Sequence, residues 1–207
     1  MDKQTDKNKI DVQLLGFKMR YSSLDWVIEK LKTLGIDDEK LKHLRGENGG
    51  SLLSEAISFG ARDGIRYCLS KDIPMNCVTT RGYNEMHLVA ENLFYNTNTP
   101  EELHFAIEIA NELLDRGVDL SVQDKSYGNL PVYSLIYAGA LKSPEGVELV
   151  KRCIKMNSPV HIKNKNGLDI LGWMNDIAEP NVEKEIIQYM KELGILDESG
   201  QFTNVGQ

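Results

Sequence analysis

Five helix-stop signals recur along the chain at nearly even spacing. Gly35, Asp72, Gly117, Asn157 and Gly194 lie 37, 45, 40 and 37 residues apart. Ahead of each stop stands the same apolar pattern at helical spacing. It reads Val27-Ile28 then Leu31; Ile65 then Cys68-Leu69; Ile109-Ala110 then Leu113-Leu114; Leu149-Val150 then Cys153-Ile154; Ile186-Ile187 then Met190. A helix needs such a face when it packs on a neighbouring unit of its own kind. Self-similarity at this period is the mark of a chain built from repeated helical pairs. The expected fold class is therefore all-α.

The clearest single unit is 49–76, a helix, a turn and a helix in under thirty residues. Leu52 to Phe59 is helix-compatible, Gly60 breaks the run, and Gly64 to Lys71 carries Ile65, Cys68 and Leu69 on one face. Asp72 stops it and Pro74 forbids continuation. Upstream, residues 1–11 are polar and expected to be flexible. Residues 12–48 read as a helical N-terminal cap: a helix at 12–20, then one at Leu24 to Leu34 capped by Ser22 or Ser23, with Trp26 off its apolar stripe. Charged residues 37–47 read as a short helix or loop.

Three longer units follow at 77–121, 122–161 and 162–196, and 197–207 reads as a loose tail. In the first, Arg81-Gly82-Tyr83 is a turn, Met86 to Glu91 a short helix, and 93–99 a connection carrying Phe94 and Tyr95. Thr99-Pro100-Glu101-Glu102 combines a cap, a first-turn proline and acids at the positive helix end. The helix it starts carries Leu103, Ile107, Ala110, Leu113 and Leu114. The later units repeat the order: turns at 123–129 and 163–167, short helices at 131–140 and from Asp169 to about Asn175, and longer ones from Ser143-Pro144-Glu145 and from Val182 to Leu193.

The ordered set resembles the ankyrin-repeat family. The unit of that family is a β-turn, an inner helix near a Thr-Pro-Leu-His tetrapeptide, and an outer helix ending in Leu-Leu-x-x-Gly, with a period of about 33 residues. Here the tetrapeptide slot holds Ser51-Leu52-Leu53-Ser54, Asn84-Glu85-Met86-His87, Leu130-Pro131-Val132-Tyr133 and Asp169-Ile170-Leu171-Gly172. Each follows a glycine two residues earlier: Gly49, Gly82, Gly128 and Gly167. The resemblance covers roughly 49–194, within a repeat domain set at 49–196, with insertions between inner and outer helix, longest at 92–102. It implies an ankyrin-like helix-turn-helix solenoid with short β-turn fingers, about four repeats behind the N-terminal cap.

The formal net charge is −7 and hydrophobic residues make up 41%. That is the balance of a soluble globular protein, and it argues against a nucleic-acid binder, which needs Lys and Arg in excess. No run approaches the roughly 20 apolar residues of a membrane helix, and the start has no signal-peptide pattern. Cys68, Cys77 and Cys153 are too few and too scattered for a disulfide framework or a zinc site, which suits a reducing, cytoplasmic setting. His43, His104 and His161 lack metal-ligand spacing. No cofactor or metal is expected.

Cys68 and Cys153 fall on apolar helix faces and read as buried hydrophobes. Cys77, near Arg81, is the one candidate nucleophile. His87 takes the tetrapeptide histidine position, where the family uses it to satisfy the turn backbone. The residues singled out for partner binding are the turn-tip residues Arg81, Tyr83, Lys125 and Tyr127, with Tyr137 and Trp173 on inner helices. The resemblance places turn tips and inner helices on the partner-facing surface, and Tyr, Trp and Arg dominate binding hot spots. For Tyr83 and Tyr127 exposure is expected; for Tyr137 and Trp173, packing between units competes with binding. The expected function is non-enzymatic binding of another protein, in its sharper form a bacterial immunity or antitoxin-type protein covering a basic toxin or enzyme. A scaffold or host-directed effector, and a small enzyme using Cys77 or His87, are the alternatives.

Overall fold

All five predicted stops adopt the left-handed backbone that ends a helix. Gly35, Asp72, Gly117, Asn157 and Gly194 have φ of 67°, 49°, 80°, 63° and 70°. The glycines two residues ahead of the tetrapeptides are left-handed as well, Gly49 and Gly82 at 83°, Gly128 at 70° and Gly167 at 79°. The first residue of each tetrapeptide, Ser51, Asn84, Leu130 and Asp169, is the N-cap of the helix that follows. A tight turn and a helix start are thus written four times in the same few residues.

The computed structural model describes residues 10–203. Helices make up 57% of the described residues. Among the described residues the only strand-type pairing is an isolated bridge between Leu196 and Phe202. The fold is all-α, and it divides after Thr80 into two compact units.

The first unit holds α1 (Val12–Tyr21), α2 (Leu24–Thr33), α3 (Asp38–His43), α4 (Leu52–Ser58) and α5 (Arg62–Ser70). Ser23, rather than Ser22, caps α2 by accepting from the Trp26 amide. Helix α4 packs on α1 and α5. Close approach of α1 to α4 depends on Gly16, where an added Cβ would lie 2.6 Å from Cβ of Glu55. Val27, Leu31, Ile65, Cys68 and Leu69 of the repeated pattern are buried. Trp26 remains at the surface, beneath the Lys18 ammonium.

The second unit holds α6 (Glu85–Val89), α7 (Pro100–Asp115), α8 (Pro131–Tyr137), α9 (Pro144–Lys155), α10 (Ile170–Ile177) and α11 (Pro180–Glu192). The short helices α6, α8 and α10 contact one another in that order, and the longer α7, α9 and α11 do the same. Such short helices are not stable alone and depend on this burial. On the longer helices Leu113, Leu114, Leu149, Val150, Cys153, Ile154, Ile186 and Met190 are buried, as the repeated pattern predicts, whereas Ile187 is half-buried. On α7 the buried face begins at Phe105 and Ala106, whereas Leu103 and Ile107 are only half-buried.

Two segments differ from expectation. Residues 90–94, expected to run from a short helix into a connection, form a π-helical turn continuing α6, and this wider turn buries both Leu93 and Phe94. The segment 197–207 is not a loose tail over its described part. The Asp197 amide donates to Gln201 O and the Thr203 amide to Ile195 O, 2.8 and 2.9 Å respectively. Of the stretches expected to be flexible, 1–9 and 204–207 lie outside the described residues.

Candidate functional site

The turns at 124–129 and 164–168 are closed in the same way. Asp124 N–H donates to Asn129 O and Asn164 N–H to Leu168 O, both at 2.9 Å. The side-chain oxygens of Asp124 and Asn164 then accept the amides inside each turn. The turns are also tied to one another through the backbone. Lys125 N–H donates to Arg81 O at 2.9 Å and Lys165 N–H to Tyr127 O at 2.7 Å. Gly82 makes the first of these contacts possible, because a Cβ there would lie 2.7 Å from the Lys125 nitrogen. Arg81, Tyr83 and Tyr127 are therefore presented side by side by a hydrogen-bonded row of turns.

Beside that row the second unit encloses an open cavity of about 530 Å³. The turns contribute Arg81, Tyr83, Asp124, Tyr127, Asn129 and Asn166; α6, its π-helical extension and the residue after it contribute His87, Ala90, Glu91 and Tyr95; α8 and the residue after it contribute Ser134, Tyr137 and Ala138; α10 contributes Trp173. Three aromatic rings meet here. Tyr95 and Tyr137 stack at 6.4 Å between centroids with planes 12° apart, and Trp173 meets Tyr137 edge-on at 5.8 Å. Tyr95, Tyr127 and Tyr137 are 64%, 58% and 61% exposed. Rings of this size usually bury their area, and this much exposed aromatic surface around one cavity is a feature of binding sites. Indole Nε1 of Trp173 is covered and has no hydrogen-bond acceptor.

The polar side of the cavity is organised around Tyr83 and His87. Arg81 donates to Glu91 at 2.9 Å and to the Tyr83 hydroxyl at 3.1 Å, with its guanidinium carbon 4.4 Å from the Tyr83 ring centre. The His87 ring stacks on Tyr83 at 5.3 Å with planes 9° apart. Burial, and next the Glu91 carboxylate, push the Tyr83 phenol above its ordinary range, so it stays protonated. Nε2 of His87 donates to Asn129 O at 3.0 Å, and Nδ1 accepts the Asn84 amide at 3.4 Å in a capping box. Burial lowers the His87 pKa, which keeps the imidazole neutral. With Nε2 on the Asn129 carbonyl and Nδ1 held against the amide and side-chain oxygen of Asn84, His87 fixes the turn.

Five of the six residues singled out from sequence, Arg81, Tyr83, Tyr127, Tyr137 and Trp173, line this cavity. Lys125 does not; its backbone ties the turns, and its carbonyl accepts the Lys165 ammonium. Tyr83 is half-buried rather than exposed, clamped by Arg81 and His87. The site also includes Tyr95 and Glu91, which turn and repeat signals did not single out. Glu91 lies in the π-helical turn and Tyr95 directly follows it, so no α-helical spacing in the sequence unites them. Cys68 and Cys153 are buried, and burial raises both thiol pKa values. Cys77 is half-buried, its Sγ 3.5 Å from Pro74 O.

No family model matches this chain, and no curated protein does. The fold itself has precedent. The chain is similar to one in a solved structure of the predatory endopeptidase from Bdellovibrio bacteriovorus in complex with an immunity protein. The TM-score is 0.63 at 17% identity, over 91% of this chain and 86% of that one. At this identity the likeness concerns the fold alone. Among the described residues no helix is long and apolar enough to cross a membrane.

Proposed function

We propose that this chain is a non-enzymatic binding protein whose partner is another protein, engaged through the aromatic cavity of the second unit. The observation that carries the reading is the exposure of Tyr95, Tyr127 and Tyr137 around one open hollow. Rigid aromatic side chains bury large area at small entropic cost, which suits them to protein contacts. In this reading the pairs α4–α5, α6–α7, α8–α9 and α10–α11 are degenerate ankyrin-like repeats, and the turns between them are the β-turn fingers.

The sharper form is a cytoplasmic immunity-type protein that neutralises a basic toxin or enzyme by covering it. Two observations support it: the net charge of −7, which favours encounter with a basic partner, and the likeness to a chain from an endopeptidase–immunity protein complex. The test uses tagged wild type and a Tyr127→Ala/Tyr137→Ala variant, matched by circular dichroism, as baits for extract of the source cells. The captured partner is then purified and titrated with both. The variant is expected to bind at least about tenfold more weakly, as loss of hot-spot tyrosines should cause. Equal affinities refute the site. A partner whose activity is untouched at saturation refutes the immunity form.

A further inference from the structure

The walls of the aromatic cavity have a chemistry that selects its occupant. Tyr95, Tyr137 and Trp173 come from successive helix pairs, and two of the three rings leave most of their surface to solvent. Ring faces carry partial negative charge, and a planar guanidinium stacks on them better than any other charged side chain. The charged groups in the walls are two carboxylates and one cation. Asp124 is occupied by the amides of Ser126, Tyr127 and Asn129 in its own turn. Arg81 is committed to Glu91 and to the Tyr83 hydroxyl. Glu91 receives Arg81 at 2.9 Å on one oxygen and at a longer 3.4 Å on the other, and its side chain keeps 40% of its exposure. A carboxylate can accept several donors, so Glu91 has capacity for a second guanidinium. Arg81 keeps 59% of its side-chain exposure, but an anionic occupant would have to share that one wall cation with Glu91 and would face Asp124 as well.

Trp173 adds an unused donor. Its Nε1 is covered and bonded to nothing, so packing alone holds the indole. Turning that ring into the cavity gives up no hydrogen bond and gains one if an acceptor arrives. An extended peptide supplies such an acceptor in its backbone carbonyl.

From these features, and resting on the protein-binding reading above, we infer that the cavity takes an arginine side chain from an extended segment of the partner. Its guanidinium lies against the Tyr95, Tyr137 and Trp173 rings and donates to Glu91, while a neighbouring carbonyl of the segment accepts from Trp173 Nε1. The partner's contribution is thus a basic loop or strand inserted into the hollow.

The probes are capped pentapeptides, acetyl-Gly-Gly-X-Gly-Gly-amide, with arginine, lysine or glutamate at the centre. They are titrated into the ¹⁵N-labelled full chain, and the Trp173 indole N–H resonance is followed; Trp26→Phe separates it from the other indole. The arginine peptide is expected to shift that resonance saturably, and to bind at least about threefold more tightly than the lysine peptide and about tenfold more tightly than the glutamate peptide. Tyr137→Ala, with circular dichroism unchanged, should weaken the arginine peptide at least about threefold. A glutamate peptide that binds as well, or no saturable shift with arginine at tens of millimolar, overturns the inference. In either case, a natural partner that still discriminates wild type from Tyr127→Ala/Tyr137→Ala leaves the protein-binding reading standing. A partner that does not discriminate removes that reading whatever the peptides do.

Discussion

His87→Ala is the sharpest probe of how the turns are held. The imidazole is 1% exposed. Its Nε2 donates to Asn129 O, its Nδ1 accepts the Asn84 amide, and its ring stacks on Tyr83. Asn129 O also accepts the Asp124 amide, so truncation does not orphan it, whereas the buried Asn84 amide loses its acceptor; together the two lost hydrogen bonds should cost about 2 kcal/mol or more. Removing a packed ring from a buried position adds about 1–2 kcal/mol. The expected loss is about 3–4 kcal/mol, read by urea denaturation at pH 7.5. The pH dependence gives an independent check. The folded pKa of His87 lies below the unfolded one, because burial disfavours the charged ring. Stability from neutral His87 is complete above the unfolded value of about 6.5, and it is lost as pH falls through that value toward the folded pKa. The variant should lose this part of the acid-side slope. A cost under about 1 kcal/mol, or an unchanged slope between about pH 6.5 and 5, would show that His87 is not what fixes the turn.

Two further outcomes follow from burial. Thiol labelling of the native chain should modify Cys77 readily and spare Cys68 and Cys153, whose pKa values burial raises; fast native labelling of Cys68 would contradict the packing of α5. Glu55 is 1% exposed, accepts a hydrogen bond from Asn48, and has a pKa raised first by burial. Its contribution is therefore complete below the unfolded carboxylate pKa and lost as pH rises through the folded one. Glu55→Gln should accordingly stabilise the chain at pH 8, with the gain fading toward pH 4; thermal melts at the two pH values that showed no such trend would be inconsistent with a buried charge here.

Much of the fold was legible because it is written in local signals with single meanings. A left-handed residue after an apolar helix face fits a stop, and Ser, Asn or Asp two residues past a left-handed glycine fits a start. Gly117 marked the end of α7 in this way, and the Thr99-Pro100-Glu101-Glu102 run marked its start. Its buried face was read less well, because Leu103, Phe105, Ala106 and Ile107 are all apolar and only packing chooses among them. The course of 90–94 was not legible either. Nothing in Ala90-Glu91-Asn92-Leu93-Phe94 distinguishes an α-helix from a wider turn; the wider turn is favoured where Leu93 and Phe94 can both be buried, a tertiary property. Within the site, Arg81, Tyr83 and Tyr127 were visible as turn-tip residues. Tyr95 was not, because its position depends on that wider turn.

In the proposed reading, that dependence keeps stability and recognition apart in the second unit. The short helices pack through Met86 and Val89, through Val132, Leu135 and Ile136, and through Ile170 and Met174, all buried. The cavity aromatics Tyr95 and Tyr137 occupy the remaining positions, at or just past the helix ends, and neither is part of the buried set. Losing their surface area from water on binding would then contribute stabilisation that folding has not already taken. Tyr83 is the exception. Its ring is shared between the cavity wall and the His87 cap, so truncating it perturbs the turn as well as the site. Any dissection of binding should begin from Tyr95, Tyr127 and Tyr137, where a lost contact can be read as a lost contact.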